Sequence, residues 1–267
     1  MSGRPGAVPI LMYHAITVAP TPAVRDLSVT PAAFEEQLAV LADGGFTPLT
    51  TTALATAWRG GGPLPPRPVL ITFDDGYDGV YRHALPALAR HGFPATLFVS
   101  TGWLRGPYGT GDAPDTTLDW DQVRKLAGAG VEIGGHSHTH PRLDALGDAR
   151  LRLEVLRCKE IIADEVGAAP ESFAYPFGHS SRRVRRTVRG LGFRQALAVG
   201  NTLAAHRQGP YALARLTVRR RTGTEEFARL VEGRGLARAF ARDRALTKGY
   251  AVVRRTRQAV RLCLPDH

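Results

Sequence analysis

The sequence has 267 residues, 43% of them hydrophobic, so it suits one large α/β domain or two small ones and is not a generally disordered chain. It contains no run of about 18 apolar residues, which excludes a membrane-spanning helix. The net charge of +11 favours anionic partners such as phosphate-bearing glycans, acidic lipid surfaces or nucleic acid, and a solvated arginine-rich surface is the alternative.

Short apolar segments alternate with helical patterns along most of the chain. Predicted strands cover residues 8–13, 69–73, 95–99, 131–133, 172–175, 195–199 and 213–218. A helix is predicted to start at Thr30-Pro31, and others cover residues 81–91, 121–129, 149–166 and 181–191. This alternation is typical of parallel strands with crossover helices, either in a barrel or in an open sheet. A barrel would place the active site at the C-terminal ends of its strands.

The pattern changes near residue 235. We predict a catalytic domain over residues 1–235 and a basic, helical tail over 236–267, because nine basic residues but only two acidic ones follow from Arg234 onward. A second basic cluster lies at residues 182–189. Apolar positions in the tail predict peripheral contact with an anionic membrane. Residues 1–16 lack the features of a signal peptide, so we expect a cytoplasmic protein.

The two cysteines, Cys158 and Cys263, are far apart in the sequence and lie in helix-like stretches. We therefore expect neither a disulfide framework nor a thiolate metal site.

Two polar motifs follow predicted strands. Asp74 and Asp75 come directly after the strand 69–73, where two carboxylates can point to one place, although Asp-Asp-Gly is also an ordinary turn. His136 and His140 follow the strand 131–133 at a spacing of four, which suits two imidazoles on one divalent ion. One Asp and two His make the three N/O ligands that a catalytic zinc site uses. His138 alternates with these two residues and is expected to point away.

A third strand leads into the turn Tyr175-Pro176-Phe177-Gly178, where proline and glycine can direct a backbone amide into a site. A plain turn is the alternative.

With TFDDGY, HSHTH and YPFG, residues 8 to 235 resemble the NodB-type polysaccharide deacetylases. The resemblance implies a distorted (β/α) barrel in which Asp75, His136 and His140 bind one divalent ion, zinc by preference, with cobalt, nickel or iron as alternatives. It also implies that Asp74 is the catalytic base and that the backbone N–H of Phe177 stabilises the oxyanion.

The chain departs from the family pattern at two positions. Ala174 stands where many members have an arginine that pairs with the base, and no C-terminal Leu-x-His supplies an acid histidine. The segment Ile10-Leu11-Met12-Tyr13-His14 resembles the N-terminal strand of the poly-N-acetylglucosamine deacetylase branch, so we predict His14 as the general acid and His206 as the weaker substitute. A structural role for His14 is the alternative. Arg215 is predicted to reach Asp74 in place of the missing arginine.

We place Trp120, Tyr175 and Arg215 among the substrate-binding residues. Trp120 resembles the aromatic wall of the family's sugar groove, and a core tryptophan is the alternative. Asp119 could tune the site or cap the helix that follows it.

Three functions remain open at this point. The leading prediction is hydrolysis of an N-acetyl group on an amino-sugar glycan or glycoside. The first alternative is a carbohydrate O-acetyl esterase, because the same metal site serves both reactions. The second is a non-catalytic protein with a degenerate site that binds glycan, membrane or nucleic acid. We do not expect nucleic acid as the partner. The sequence pattern does not indicate whether the protein is a monomer or an oligomer.

Overall fold

The computed structural model describes residues 6–241 and Asp243. The helix Leu236–Ala239 lies within this range, and Phe240 after it is buried in the main core, so the described start of the predicted tail packs against the domain. The rest of the tail lies outside the described residues, together with Cys263, Val252, Val253, Val260 and Leu262. The domain boundary at residue 235 stays a prediction.

The strands of the structure are short. In chain order they are β1 (Ala7–Val8), β2 (Ile10–Tyr13), β3 (Thr47–Leu49), β4 (Pro68–Phe73), β5 (Thr96–Val99), β6 (Glu132–Gly135), β7 (Ser172–Ala174), β8 (Gln195–Leu197), β9 (Ala204–Ala205) and β10 (Leu216–Thr217). Strands β10, β2, β4, β5, β6, β7 and β8 pair in that order, all parallel, and β3 adds to β4.

The segment before β10 closes the sheet. Leu213 forms a parallel bridge with Leu197 of β8, while Leu216 and Thr217 pair with β2 at the other edge. One stretch of chain therefore contacts both ends of the sheet, which makes the distorted barrel that the resemblance implied.

The helices lie between these strands. They are α1 (Pro31–Asp43), α2 (Thr51–Gly60), α3 (Leu85–His91), α4 (Trp120–Gly128), α5 (Asp148–Val166), α6 (Arg182–Gly190), α7 (Thr224–Val231) and α8 (Leu236–Ala239). None of the helices in the described part of the chain has the length and apolar content that crossing a bilayer requires.

Local chemistry explains several helix starts. The Thr30 side chain accepts a hydrogen bond from the Ala33 N–H, with Pro31 in the first turn, as predicted. Asp119 and Gln122 form a capping box at the start of α4, so Asp119 has the capping role that the sequence left open.

Two differences from the predicted elements have a clear cause. The predicted strand 8–13 is divided at Pro9, which has no N–H to donate, and β1 pairs instead with β9 in a small antiparallel sheet. The predicted helix 81–91 begins as a π-helical turn, Val80–Ala84, just before Pro86. Strand β3 and helix α2 were not predicted.

Alternate residues of the strands line the barrel interior. A cluster of Val8, Ile10, Leu54, Leu70, Phe98, Ala174, Leu197, Ala204 and Leu213 fills its lower part, with Leu54 contributed by α2. Gly134 makes room for this packing, because a Cβ atom there would lie 2.5 Å from the Phe98 ring. The larger cluster between strands and helices includes Phe34, Leu41, Phe73 and Leu97. Residues on the inner face beyond this apolar layer reach the C-terminal end of the barrel.

Candidate metal centre and catalytic site

Three side chains at the ends of β4 and β6 converge on one point. The Asp75 Oδ1 atom lies 3.3 Å from His136 Nε2 and 3.4 Å from His140 Nε2. All three potential ligand atoms lie within 4.8 Å of one another, and Asp75 and His136 are buried. The predicted ligand set is therefore brought together.

The donor set and its spacing fit a divalent ion. Ligands about 2.0–2.2 Å from a tetrahedral metal are about 3.3–3.6 Å apart, which matches the two oxygen–nitrogen distances. The Asp75 Oδ1 atom is buried and has no hydrogen-bond partner, an arrangement that is unfavourable without a cation. Burial opposes ionisation of Asp75, but the neighbouring imidazoles of His136, His140 and His14 favour the carboxylate form by more, so its pKa is well below the usual value. The carboxylate is ionised, as metal binding requires.

A backbone hydrogen bond orients the first imidazole. His136 Nδ1 lies 2.8 Å from the Ala174 carbonyl oxygen. The carbonyl can only accept, so the ring proton is on Nδ1 and the Nε2 lone pair faces Asp75 and His140. Ala174 stands where many family members have an arginine, but its carbonyl oxygen orients the His136 ring.

The loop from His136 to His140 is held by a buried carboxylate that the sequence did not reveal. Glu154 of α5 accepts hydrogen bonds from the His138 N–H at 3.1 Å, the Thr139 N–H at 2.8 Å and the Thr139 hydroxyl at 2.8 Å. Ser137 and His140 have positive φ angles of 66° and 56°, which non-glycine residues rarely adopt. The His140 N–H donates to Ser137 Oγ, and Glu154 stabilises the rest of this strained loop.

Aromatic rings flank the second imidazole on both sides. The Trp103 ring centroid lies 4.3 Å from that of His140, and the Phe177 centroid lies 4.8 Å away. Phe177 is 50% exposed, and the Arg142 guanidinium lies 5.3 Å from its centroid. Trp103 was not predicted, because nothing in its Gly/Pro-rich loop indicates which way it faces.

The proposed base is clamped by an arginine that directly precedes β10, two strands away from β4 in the sheet. Arg215 Nη1 lies 2.6 Å from Asp74 Oδ1, and Nη2 lies 2.7 Å from Oδ2. Arg215 is fully buried, and its Nε donates to the Ala198 carbonyl. Burial raises the pKa of Asp74, but the charges of Arg215 and His136 lower it by more, so the carboxyl is ionised. The contact predicted between Arg215 and Asp74 is present.

His14 lies on the same rim. The Asp74 N–H donates to the Tyr13 carbonyl, so the residues that follow β2 and β4 are neighbours. His14 is 8% exposed, and its Nδ1 has no hydrogen-bond partner. Burial lowers the pKa of His14, and the charges of Asp75 and Asp74 oppose that shift. The predicted acid is thus beside the carboxylates, and its catalytic role stays a proposal.

The third motif forms a tight turn at Pro176–Gly178. Phe177 has φ 58°, and the hydrogen bonds of the turn come from the Gly178 and His179 N–H groups. Neither of these hydrogen bonds uses the Phe177 N–H, and the Phe177 ring lies beside His140. This arrangement is compatible with the predicted oxyanion role.

A polar cavity of about 300 Å³ opens among the segments that follow β2 and β4. Its lining includes Ala15, the residue after His14, and Tyr77, which is two residues after Asp75. Burial, together with the nearby Asp75 carboxylate, raises the pKa of Tyr77 well above its usual value, so the hydroxyl keeps its proton. The cavity has the size of a small ligand pocket.

All three side chains predicted to bind substrate are buried, and Arg215 is taken up by Asp74 as described above. Trp120 is 4% exposed and packs in the main core, with the Tyr108 ring edge-on at 6.2 Å, as in the alternative of a core tryptophan. Tyr175 is fully buried, and its hydroxyl donates to the Tyr211 carbonyl. Both expectations are corrected, because these side chains face the packing between strands and helices and not the rim.

Two further histidines lie away from the centre. His206 follows β9, at the end of the barrel opposite to the metal centre, and its ring packs edge-on against Trp58. It does not reach the reacting groups, so the substitute acid is corrected as well. His138 points away as expected, with Nδ1 2.9 Å from the Thr101 hydroxyl.

Comparison with known proteins agrees with this geometry. Residues 61–196 match the polysaccharide deacetylase family. The YxkH protein of Bacillus subtilis (strain 168) is 27% identical over 215 residues, which cover 80% of this chain and 72% of that protein. The poly-beta-1,6-N-acetyl-D-glucosamine N-deacetylase of Escherichia coli (strain K12) is 26% identical over 242 residues, covering 78% of this chain but only 36% of the relative.

Solved structures show the same fold. The Streptococcus pyogenes deacetylase PplD, in complex with acetate, superposes with a TM-score of 0.76 at 24% identity, covering 84% of this chain and 98% of that one. The polysaccharide deacetylase BC0361 from Bacillus cereus gives a TM-score of 0.72 at 24% identity, covering 84% of this chain and 69% of that one.

Proposed function

The chain belongs to the polysaccharide deacetylase family, and we propose that it hydrolyses N-acetyl groups on an amino-sugar glycan or glycoside. The observation that carries the proposal is one cluster in which Asp75 Oδ1 faces two imidazole nitrogens while Asp74, the next residue, is bound by Arg215. The base and one ligand thus come from adjacent residues of the turn after β4, and the two imidazoles come from the loop after β6.

The metal would be held by Asp75, His136 and His140. A divalent ion bound there, zinc by preference with cobalt, nickel or iron as alternatives, supplies a Lewis acid that polarises the acetyl carbonyl and lowers the pKa of the attacking water. Asp75 and His136 are buried and His140 is partly buried, which limits the competition of bulk water for these ligands.

Each remaining residue has one task in the proposed reaction. Asp74 accepts the proton of the attacking water, and Arg215 fixes both of its carboxylate oxygens in position. The Phe177 N–H donates to the developing oxyanion. His14 gives a proton to the leaving amine, which cannot depart as an anion.

A carbohydrate O-acetyl esterase is the second candidate, because an alkoxide leaves more readily than an amide nitrogen. The position of the buried His14 ring beside the two carboxylates favours the amide reaction, because that reaction requires a proton donor there. A non-catalytic role fits the structure less well, since the ligand set and the base are all present.

His14→Ala separates the two reactions. We expect the turnover of an N-acetyl glycoside to fall by about 10²–10⁴-fold, the usual value of general-acid assistance, with unchanged metal content. Hydrolysis of an aryl acetate, whose leaving group needs no proton, should change little. Equal losses on both substrates would assign His14 a structural role.

The function itself is tested by released acetate. Purified protein is assayed with N-acetylglucosamine oligomers, peptidoglycan fragments, small N-acetyl glycosides and acetylated xylan, and its metal is identified by elemental analysis. Acetate release only from xylan would establish the esterase, and absence of both metal and activity would refute the hydrolase.

Two further parts of the proposal concern the setting of the enzyme. A cytoplasmic location is tested by cell fractionation. Contact of the basic tail with an anionic membrane is tested by vesicle binding after deletion of residues 236–267.

A further inference from the structure

Helix α6 has an unusual distribution of charge. Five of its nine residues are arginines, and it has no acidic residue. Val184 and Val188 form the buried face, and Arg182, Arg186 and Arg189 are exposed. Positions separated by four and three residues lie on one face of a helix, so these three arginines form a row about 10 Å long.

Two of the five arginines have structural roles. Arg183 pairs with Asp148 and donates to the Leu146 carbonyl, and Arg185 donates to the Ser180 hydroxyl. The side chains of the three arginines in the row form no ion pair or hydrogen bond with another residue in the described ranges. The side chains of the row therefore make no polar contact within the described part of the chain that would stabilise the fold.

The row is also electrostatically unfavourable for the isolated domain. Arg182 repels Arg186, and Arg186 repels Arg189, at the spacings where side chains of a helix meet. Arg182 also lies in the first turn, where the helix dipole disfavours positive charge. A bound anion removes both penalties, since it neutralises the row and complements the helix N-terminus.

The location of the row connects it to the metal centre. The turn that carries Phe177 ends at Gly178, and α6 begins at Arg182, so the first arginine of the row is at the rim of the barrel. From there the helix leads along the outside of the barrel, beside α5. A long substrate that enters the site past Phe177 can continue along this face.

We propose that the row Arg182–Arg186–Arg189 binds an anionic glycan chain and that the acetylated sugar of this chain enters the metal centre. The proposal rests on the proposed deacetylase function and specifies its substrate class: a polymer with repeated phosphate or carboxylate groups. Arginine suits such groups, because its planar guanidinium donates two parallel hydrogen bonds to an oxyanion.

A membrane surface fits the row less well. Membrane-binding helices combine basic residues with exposed apolar ones that enter the lipid. The exposed large apolar side chains of the described residues are Val18, Leu153 and Phe177, and none of them belongs to α6.

The binding test uses two triple variants with equal loss of charge. Arg182→Gln/Arg186→Gln/Arg189→Gln removes the row, and Arg59→Gln/Arg207→Gln/Arg229→Gln removes three exposed arginines that belong to other elements. Both are made in an Asp74→Asn background, which does not turn over the probe. The probe is a fluorescent glycerol phosphate polymer substituted with N-acetylglucosamine, and affinity is measured by anisotropy at low and high salt.

We expect the row variant to weaken binding about tenfold at low salt, since three exposed ion pairs are lost, and the control variant to bind within about twofold of the parent. Equal weakening in both variants would reduce the effect to net charge and overturn the proposal. Row-dependent binding to phosphatidylglycerol vesicles or duplex DNA, without binding to the glycan, would also overturn it.

A kinetic test with Asp74 intact links the row to the substrate. The row variant should raise KM for the anionic polymer and leave kcat for it unchanged, with neutral N-acetylglucosamine oligomers unaffected. Equal KM changes on neutral and anionic substrates would contradict the proposal. If the parent enzyme releases acetate from neither substrate, the deacetylase function fails, and the binding assay still decides the role of the row.

Discussion

Two carboxylates on the inner face of the barrel, Glu132 and Asp75, have opposite surroundings. Glu132, at the start of β6, accepts hydrogen bonds from the Thr52 N–H at 2.8 Å, the Thr52 hydroxyl at 2.9 Å and the Ser172 hydroxyl at 2.5 Å. Asp75, at the other end of the barrel, has an Oδ1 atom without any partner. Strand β6 joins the two regions, since Glu132 and His136 are four residues apart.

The backbone differs in the same way. Of the six non-glycine residues with positive φ in the described part of the chain, four belong to the metal-centre end, namely Asp75, Ser137, His140 and Phe177. The segment around Glu132 has none. A carboxylate whose oxygens all accept hydrogen bonds, in backbone with ordinary φ angles, stabilises the fold. A buried carboxylate oxygen without a hydrogen bond, in backbone with positive φ angles, is instead positioned to bind an ion or to take part in a reaction. Substitutions at the two ends should therefore separate activity from stability.

The largest effect is expected at the second histidine of the centre. His140→Ala removes one of three protein ligands, so bound metal and activity should both fall to background. The unfolding temperature should remain near that of the metal-free parent protein. Elemental analysis and acetate release measure the first two quantities, and full metal occupancy in the variant would show that His140 is not a ligand.

A change at the base should affect rate alone. Asp74→Asn keeps the shape of the side chain but cannot accept a proton, so turnover should fall by about 10²–10⁴-fold while the metal is retained. Arg215 would still donate to the amide oxygen. If the variant lost its metal and not its rate, the roles of Asp74 and Asp75 would be interchanged.

A smaller effect is expected one step from the ligands. Glu154→Gln keeps one acceptor oxygen for the loop from Ser137 to His140 but loses the other, and positioning residues of this kind change metal affinity by about 10–100-fold. Competition with a chelator measures the affinity. Excess metal should restore turnover, and a variant whose turnover stays low at saturating metal would contradict a positioning role.

The smallest effect on activity is expected at the opposite end. Glu132→Gln loses an acceptor for the Thr52 N–H or the Ser172 hydroxyl, which should lower the free energy of unfolding by about 1–3 kcal/mol. Metal content and turnover below the unfolding temperature should be unchanged. Denaturant unfolding and acetate release provide the test, and a loss of metal equal to that of Glu154→Gln would remove the distinction between the two ends.

The sequence by itself predicted that Asp75, His136 and His140 converge and that Arg215 contacts Asp74, and both arrangements are present. These residues follow apolar strand patterns, and the C-terminal ends of parallel strands meet at one edge of a barrel. The same logic placed His14 on the rim. Alternation along a strand with period two determines which residues share a face, so a contact across 141 positions was predictable once both strands were recognised.

Tertiary structure alone decided which aromatic rings face the site. Trp120 and Tyr175 lie beside motif residues in the sequence but point into the packing of helices on strands, while Trp103, from an irregular loop, contacts His140. The buried role of Glu154 could not be predicted either, because a glutamate in a helix is solvated unless another segment covers it. Local patterns specify the period of an element, whereas the direction of a loop side chain depends on long-range packing that no local pattern contains.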